Sequence, residues 1–452
     1  MRILIVLCML ILPKCLIAQQ DKALEFTLLE AIQYAVINNP QLKSTQLEEE
    51  NNLLKIKEVK ASALPQLDAS GTATDNYHIA TQILPGEILG QPGTIVPVKF
   101  GTRFIYGGAV QLSQAIYNPS LSIGIRAAQQ SQGLYQLQTF KSTEDLIYNV
   151  VNLFMQVQMI EKQRELLSGN IGRSEKLLEI TNAQFKEGIA KKVDVEQLKV
   201  NFTNLRTQLS NTNNSRNQLL NNLKILMNIQ VSQPIVLKNV DDTSSNNPAN
   251  IPISQDLMLD ANTDLGILDK QIQLQLLNTK NIKAGYLPTL SLSANFARQW
   301  QSNKLFDNDK TVAFNAGYYA FRLSIPIFDG FAKKYRIAQS ETALRQIQYN
   351  KEYATNNIRN QFQTASDNMQ QNQIVLVSQQ ENMKVAEDLY NVANLSYTEG
   401  ITGLSELINA ENGLREAQSQ YLTAMLQMNL DKLELMKTSG QLSQLIRTSP
   451  IK

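Results

Sequence analysis

Phe185-Lys186-Glu187-Gly188-Ile189 recurs in the second half of this chain as Tyr397-Thr398-Glu399-Gly400-Ile401. Two further stretches recur in the same order and with similar spacing: Ala63–Leu67 as Tyr286–Leu290, and Leu112–Asn118 as Leu323–Asp329. A repeat of this kind predicts one structural unit that is built twice within the chain. An enzyme with a single active site rarely has this organisation.

Residues 1–18 have the pattern of a secretory signal peptide. Arg2 supplies the positive start, an apolar stretch follows, and a small residue ends the segment. Both cysteines, Cys8 and Cys15, lie within this segment, so the mature chain has no thiol chemistry and no disulfide. Removal of Arg2 and Lys14 balances the basic and acidic residues, which leaves no electrostatic footprint for nucleic acid.

Two very long helices are predicted, from about 120 to 185 and from about 331 to 397. The first has no proline after Pro119, and its apolar residues step by alternating fours and threes from Leu146 onward. The second repeats this heptad pattern from Ile358, and each long helix is followed by a shorter amphipathic partner. Sustained heptads are typical of coiled coils, so the helices alone are equally compatible with an extended scaffolding rod.

Four segments with a period of two predict strands, at about 65–77, 100–114, 288–300 and 317–327. Segments of about ten residues with one apolar face are typical of transmembrane barrels. No stretch of the mature chain is apolar enough for a spanning helix, so a membrane-crossing form requires strands. Four strands are too few to close a barrel, which predicts that the chain oligomerises and that each copy donates part of the wall.

The order of these motifs resembles the TolC-type outer-membrane efflux protein family over essentially the whole mature chain. One shared mark is Leu-Pro-x-Leu before the first strand of each half, at Leu64–Leu67 and Leu287–Leu290. A second is an aromatic residue followed by Asn or Asp after the second strand, at Tyr117-Asn118 and Phe328-Asp329. A third is the aromatic-x-Glu-Gly-Ile turn that ends each long helix, with an acid six residues beyond its glycine.

The resemblance implies a fold that is mainly α with a β-barrel part. In a homotrimer, three copies of four strands would form a twelve-stranded barrel in contact with outer-membrane lipid, and the helices would continue it as a tunnel across the periplasm. Residues 19–230 would form a first structural repeat and 263–440 a second. Residues 231–262 would lie between them as an equatorial segment, and 441–452 would be a tail.

Two groups of residues are candidate functional sites by this resemblance. The turns Glu187-Gly188-Ile189 and Glu399-Gly400-Ile401 would dock a periplasmic adaptor, although glycine there also has the plain role of ending a helix. The acids Glu387 and Asp388 would line and gate the tunnel of a trimer, and their alternative role is a solvated outer face. His78 is the only histidine and cannot form a metal or catalytic cluster by itself.

The predicted function is a passive exit duct, located in the outer membrane and extending into the periplasm. It would carry substrates from an inner-membrane pump, with a periplasmic adaptor as the second partner. The alternative, from a different class, is a non-transporting periplasmic or surface coiled-coil scaffold. The sequence has no nucleophile–base pair, phosphate-binding loop or metal-ligand spacing, so we predict no enzyme activity, no cofactor and no metal.

Overall fold

The computed structural model describes residues 23–90, 92–238, 259–305 and 311–442. The predicted signal peptide, residues 239–258 of the predicted equatorial segment and residues 443–452 of the predicted tail lie outside the described residues. The described chain divides into two compact units. One contains the described residues of Met1–Gln46, Thr139–Leu265 and Ala354–Lys452, and the other contains those of Leu47–Gln138 and Gly266–Tyr353.

Each half of the chain has a helix, two strands of one sheet, a very long helix and a shorter helix, in that order. In the first half these are α2 (Pro40–Ala61), β2 (Gln66–Asp75), β5 (Phe104–Tyr117), α3 (Pro119–Lys186) and α4 (Lys192–Met227). In the second half they are α5 (Thr263–Ala284), β7 (Thr289–Ser302), β8 (Val312–Ser324), α6 (Ala332–Thr398) and α7 (Leu404–Thr438). The described chain also contains α1 (Leu28–Asn38), β1 (Leu24–Phe26), β3 (Thr81–Pro85), β4 (Ile95–Lys99), β6 (Ile235–Leu237) and a 3-10 turn at Gly86–Leu89.

The two long helices form where the heptad pattern predicts them. α3 has 68 residues and α6 has 67, so each is roughly 100 Å long at 1.5 Å per residue. α3 starts at Pro119, whose missing N–H group costs little at the first helical position. Each position of the predicted α6 seam is buried or half-buried, and the α3 seam is likewise covered from Leu146 as far as Thr181. The seams are therefore covered by protein and not by solvent, and the buried clusters group α3 residues with α4 and α7.

Four strands form one antiparallel sheet in the order β2-β5-β7-β8, so β2 and β8 are its edges. The register places Leu112 opposite both Leu67 and Ala294, and it places Ala294 opposite Tyr319. Directly paired residues point to the same side of a sheet. The alternating apolar positions that the sequence predicts in the four strands therefore share one side, which we call the apolar face.

The strands differ from the predicted ranges mainly in β5 and β8. β5 begins at Phe104 and not near 100, because Gly101 adopts φ +120° and turns the chain just before the strand. β8 begins at Val312, before the predicted start, since it pairs with β7 from that residue onward. It ends at Ser324 because Pro326, two residues later, has no N–H group to donate to a ladder.

The connection between β2 and β5 contains a hairpin that its Gly- and Pro-rich sequence did not predict. β3 and β4 pair in antiparallel fashion, and Gly90 and Gly93 adopt φ +76° and +78° between them. Glycine is suited to this backbone conformation because other side chains are disfavoured at positive φ. One side of the hairpin is exposed, including Ile83 and Ile95.

The main hydrophobic core joins the beginning and the end of the described chain. Phe26, Ile235 and Leu442 belong to one buried cluster with residues of α1, α3, α4 and α7. The strands that carry the first two, β1 and β6, pair in parallel. A capping box between Thr27 and Glu30 fixes the start of α1 beside this cluster. Among the described residues, no helix combines the length and the apolarity needed to cross a membrane.

Candidate docking turns and channel wall

The first predicted docking turn ends α3 with a defined hydrogen-bond pattern. The N–H group of Ile189 donates to the carbonyl of Gln184 at 2.8 Å, and that of Gly188 donates to the carbonyl of Phe185 at 3.0 Å. This pair of bonds is the Schellman motif, which requires a residue with positive φ just after the helix. Gly188 has φ +75°, so glycine is needed here for its backbone conformation.

The second predicted turn repeats this geometry at the end of α6. Ile401 N–H donates to the carbonyl of Ser396 at 2.8 Å, and Gly400 N–H donates to the carbonyl of Tyr397 at 3.0 Å. Gly400 has φ +71°, and a Cβ atom added at either turn glycine would meet no neighbouring atom within 4 Å. The surroundings of both turns are therefore open, and only the backbone angle selects glycine.

The turns present an apolar side chain and an acid to solvent. Ile189 is 75% exposed and Ile401 is 76% exposed. Glu187 and Glu399 are exposed beside them. Both turns thus offer the same chemical groups in the same backbone geometry.

A small buried cluster supports these turns from α4 and α7. Its members are Leu198, Leu404 and Ile408, with Leu177, Leu178 and Tyr397 packed against them. The hydroxyl oxygens of Thr181 on α3 and Tyr397 on α6 are 3.5 Å apart, so the ends of the two long helices lie side by side. Asp194, the acid beyond the first turn, accepts a hydrogen bond from the Lys191 N–H at 3.1 Å and caps α4.

The predicted gate residues Glu387 and Asp388 are both exposed on α6 in the single chain. An exposed apolar stripe runs along the same helix: Ile374, Val377, Val385, Leu389, Val392 and Leu395. With 3.6 residues per turn, this stripe lies away from the buried seam, and Asp388 falls within it whereas Glu387 falls outside it. The two acids are therefore not equivalent.

A buried acid that the sequence analysis did not single out lies on α7. Glu411 is 3% exposed, and its Oε2 accepts a hydrogen bond from Nδ2 of Asn201 at 3.2 Å. Its Oε1 has no hydrogen-bond partner among the described residues. Burial raises the pKa of Glu411, and the nearby charges of Arg415 and Arg173 oppose that rise only in part. The guanidinium of Arg173 on α3 also lies 5.6 Å from the ring centroid of Tyr390 on α6. The surroundings of Glu411 therefore include side chains from several helices.

The sheet separates two chemically different surfaces. Large exposed side chains cover much of the apolar face: Leu67, Val110, Phe296, Tyr319, Phe321 and Leu323. The opposite side, which we call the polar face, carries Asp68, Ser70, Thr72, Gln111, Ser113, Ser293, Asn295 and Arg322. Two exposed aromatic residues of β8, Phe314 and Tyr318, also lie on this side. Tyr106 and Trp300 stack on the apolar face, with ring centroids 6.1 Å apart. A surface of the first kind suits lipid hydrocarbon, and one of the second kind suits water.

Within the described ranges, the His, Cys, Asp and Glu side chains form no group of three that could hold a metal ion. The arrangement of exposed turns, long helices and a two-faced sheet is instead comparable with that of known proteins. The outer membrane efflux protein family model matches residues 31–228 and 256–441. Outer membrane protein TolC of Escherichia coli (strain K12) is 21% identical over 462 residues, which cover 94% of this chain and 86% of TolC.

Two solved structures have the same fold. CusC, whose structures concern folding and transmembrane channel formation, matches with a TM-score of 0.74 and 16% identity over 91% of each chain. The open state of the MtrE outer membrane channel of Neisseria gonorrhoeae matches with a TM-score of 0.68 and 17% identity, covering 92% of this chain and 89% of MtrE. Because the family model matches well over half of the sequence, the chain belongs to the outer membrane efflux protein family.

Proposed function

We propose that three copies of this chain assemble into a closed duct that carries substrates out through the outer membrane. The observation that supports this most is the sheet, which has four strands, two unpaired edges and one exposed apolar face. Joining β8 of one copy to β2 of the next keeps the antiparallel alternation and closes a twelve-stranded wall without edges. The apolar face would meet lipid, and the polar face would line the lumen.

The helices continue this duct on the periplasmic side. The exposed apolar stripe of α6, from Ile374 to Leu395, supports packing against a neighbouring copy, because a second apolar side on one helix needs a second partner. Asp388 within this stripe would come close to its counterparts in the other copies. Repulsion between these carboxylates would favour separation of the helices, so Asp388 is a stronger gate candidate than Glu387.

The two turns would dock a periplasmic adaptor, which links the duct to an inner-membrane pump. The exposed isoleucines at 189 and 401 and the acids beside them support this role, since apolar groups on a rigid turn give a partner contact area. The duct itself would be passive and would perform no chemical reaction. The alternative, a scaffold that does not transport, would not explain why the sheet exposes an apolar face.

Cross-linking of the two sheet edges tests the proposed assembly. Cys8 and Cys15 lie in the predicted signal peptide, so after its removal Ser70→Cys in β2 and Ala316→Cys in β8 would be the only thiols. A bifunctional thiol reagent should link the double variant into trimers in outer-membrane fractions, whereas each single variant should give no linked trimer. If the double variant remains as unlinked monomers and still exports substrate, the closed duct is excluded.

A further inference from the structure

Aromatic and basic side chains meet just beyond the end of the sheet, where β8 leads into α6. The rings of Phe328 and Phe331 are both exposed and lie edge to face, with centroids 5.3 Å apart. The Lys334 ammonium is 5.8 Å from the ring centroid of Phe331, and the Lys333 ammonium is 5.3 Å from that of Tyr286. We call these five residues the foot cluster.

Phe331 occupies a backbone conformation that disfavours a large side chain. It has φ +65°, directly after Gly330 with φ +63°. Glycine would adopt this conformation without strain, and a phenylalanine there is a strained exception. Phe331 is 56% exposed, so packing within the chain does not account for a large side chain at this position. Strained residues that persist at a surface point to a contact with something outside the chain.

Charge identifies the chemistry of that contact. Lys334 is exposed and has no acidic group within 4.0 Å among the described residues, whereas Lys333 pairs with Asp329 at 3.1 Å. At the other edge of the sheet, Lys57 and Lys60 are exposed near the end of α2 and likewise lack an acidic partner in the described chain. Glu58 is the one exposed acid between these two lysines, and Asp329 is already paired with Lys333, so both edges carry a net positive charge at the end of the sheet that leads into the helices.

In the trimer proposed above, the β8 edge of each copy adjoins the β2 edge of the next. This would bring Lys334 near Lys57 and Lys60 of the adjacent copy, and the like charges would repel unless an anion lies between them. A direct protein–protein seal over the foot cluster would have to bury three ammonium groups against the single carboxylate of Glu58, which is costly. An anionic lipid supplies both the missing charge and apolar chains for the phenylalanine rings.

We propose that an anionic phospholipid binds at each boundary between copies. Its phosphate lies between Lys334 and Lys60 of the adjacent copy, and an acyl chain lies against Phe328 and Phe331. This proposal rests on the proposed trimeric duct. Aromatic rings at a membrane interface place an apolar body in the hydrocarbon next to polar headgroups, as this site requires.

Tryptophan fluorescence in vesicles tests the site directly. Trp300 is the only tryptophan, so Trp300→Phe combined with Phe331→Trp places a single indole in the foot cluster. The assembled full-length mature chain is reconstituted in phosphatidylcholine vesicles that contain brominated phosphatidylglycerol or, at equal mole fraction, brominated phosphatidylcholine. We expect roughly two- to five-fold stronger quenching by the anionic lipid. Adding Lys334→Gln and Lys60→Gln should abolish the preference, whereas the exposed control Lys192→Gln should retain it.

Three other results would overturn the proposal in different ways. Equal quenching by both brominated lipids means that lipid is present but that its headgroup is not recognised. Absence of quenching at position 331, with strong quenching of a Phe296→Trp indole, means that an adjacent copy covers the foot cluster. The lipid site is then wrong, but the proposed duct is not affected. Absence of quenching at both positions means that the apolar face is not in lipid, and the proposed duct then fails as well.

A second measurement uses the unmodified chain and does not depend on the tryptophan variant assembling. Spin-labelled phosphatidylglycerol should show a motionally restricted component in vesicles that contain the wild-type protein. Lys334→Gln should reduce this component to the level seen with spin-labelled phosphatidylcholine, and Lys192→Gln should leave it unchanged. An unchanged component in Lys334→Gln would contradict the assignment of the phosphate site.

Discussion

At the scale of single residues, Glu411 determines a measurable response to pH. Burial raises its pKa above the ordinary value of 4.5, so the folded chain binds this proton more tightly than the unfolded chain does. This group therefore contributes most to stability below pH 4.5, where it is protonated in both states. The contribution is lost as the pH rises from 4.5 through the raised pKa of the folded state. Neighbouring Arg173 and Arg415 limit the effect but do not reverse it.

We expect Glu411→Gln to stabilise the folded protein near neutral pH and to reduce the loss of stability between mildly acidic and neutral pH. Thermal unfolding of both proteins at several pH values gives the difference that belongs to this residue. Glu416→Gln, an exposed acid on the same helix, is the matched control and should change the pH profile little. A wild-type pH dependence in Glu411→Gln would mean that the buried carboxylate stays ionised throughout.

The turn glycines and Glu411 differ in how far the sequence could predict them. Gly188 and Gly400 follow from the end of each heptad seam, because a helix that stops there needs a residue with positive φ. Glu411 lies on the face of α7 that also carries Leu407 and Leu414, so its burial follows from helical spacing. The residues around Glu411 cannot be predicted in this way, because they come from three other helices and the sequence alone does not show how those helices pack against α7.

At the scale of elements, the two faces of the sheet predict opposite outcomes for neighbouring substitutions in β7. Leu292 lies on the apolar face opposite Phe321, and Ser293 lies on the polar face opposite Ala320. Leu292→Lys should cost about 2–4 kcal/mol of assembly free energy near the bilayer midplane, whereas Ser293→Lys should cost much less. The amount of trimer on unheated gels measures the effect of each substitution on assembly. Equal loss in the two variants would show that the faces are assigned wrongly.

The seam of α3 gives an equally direct test inside the helical core. Val157 is 1% exposed and belongs to the main buried cluster. Val157→Asp would bury a carboxylate without a partner and should destabilise the chain by about 3–5 kcal/mol. Loss of assembled protein from the outer membrane is the expected result, and Ser168→Asp at an exposed polar position of α3 should be tolerated as its control.

Elements were predicted best where one periodicity holds over a long stretch. The heptads identified α3 and α6 as long helices, because the same side is buried over many consecutive turns, and both observed helices lie within a residue or two of the predicted ranges. The strand ends were less accurate, since Gly101 and Pro326 act locally and pairing with β7 decides the rest. The β3–β4 hairpin was missed because its strands are short and contain prolines.

At the scale of the whole molecule, family membership confirms the predicted outer-membrane location and efflux function. The predicted trimer, the docking role of the turns and the gating role of Glu387 and Asp388 stay predictions, because each depends on surfaces that meet another chain. A single chain displays these surfaces as exposed apolar groups on the sheet, on α6 and on the two turns. The sequence identifies these residues, but the role of each depends on the chain that it contacts.

The duct and its docking turns should be separable by mutation. Ile401 is 76% exposed, so Ile401→Asp removes no core contact, and the 67 residues of α6 separate the turn from the strands. We expect normal insertion and trimer formation but at least about tenfold less export, since a carboxylate replaces an apolar docking group. Dye efflux in cells that lack their own exit duct measures export, and unheated gels measure the trimer. Ile401→Leu should export normally as the matched control. Normal export by Ile401→Asp would place the adaptor contact elsewhere and leave this turn with only its capping role.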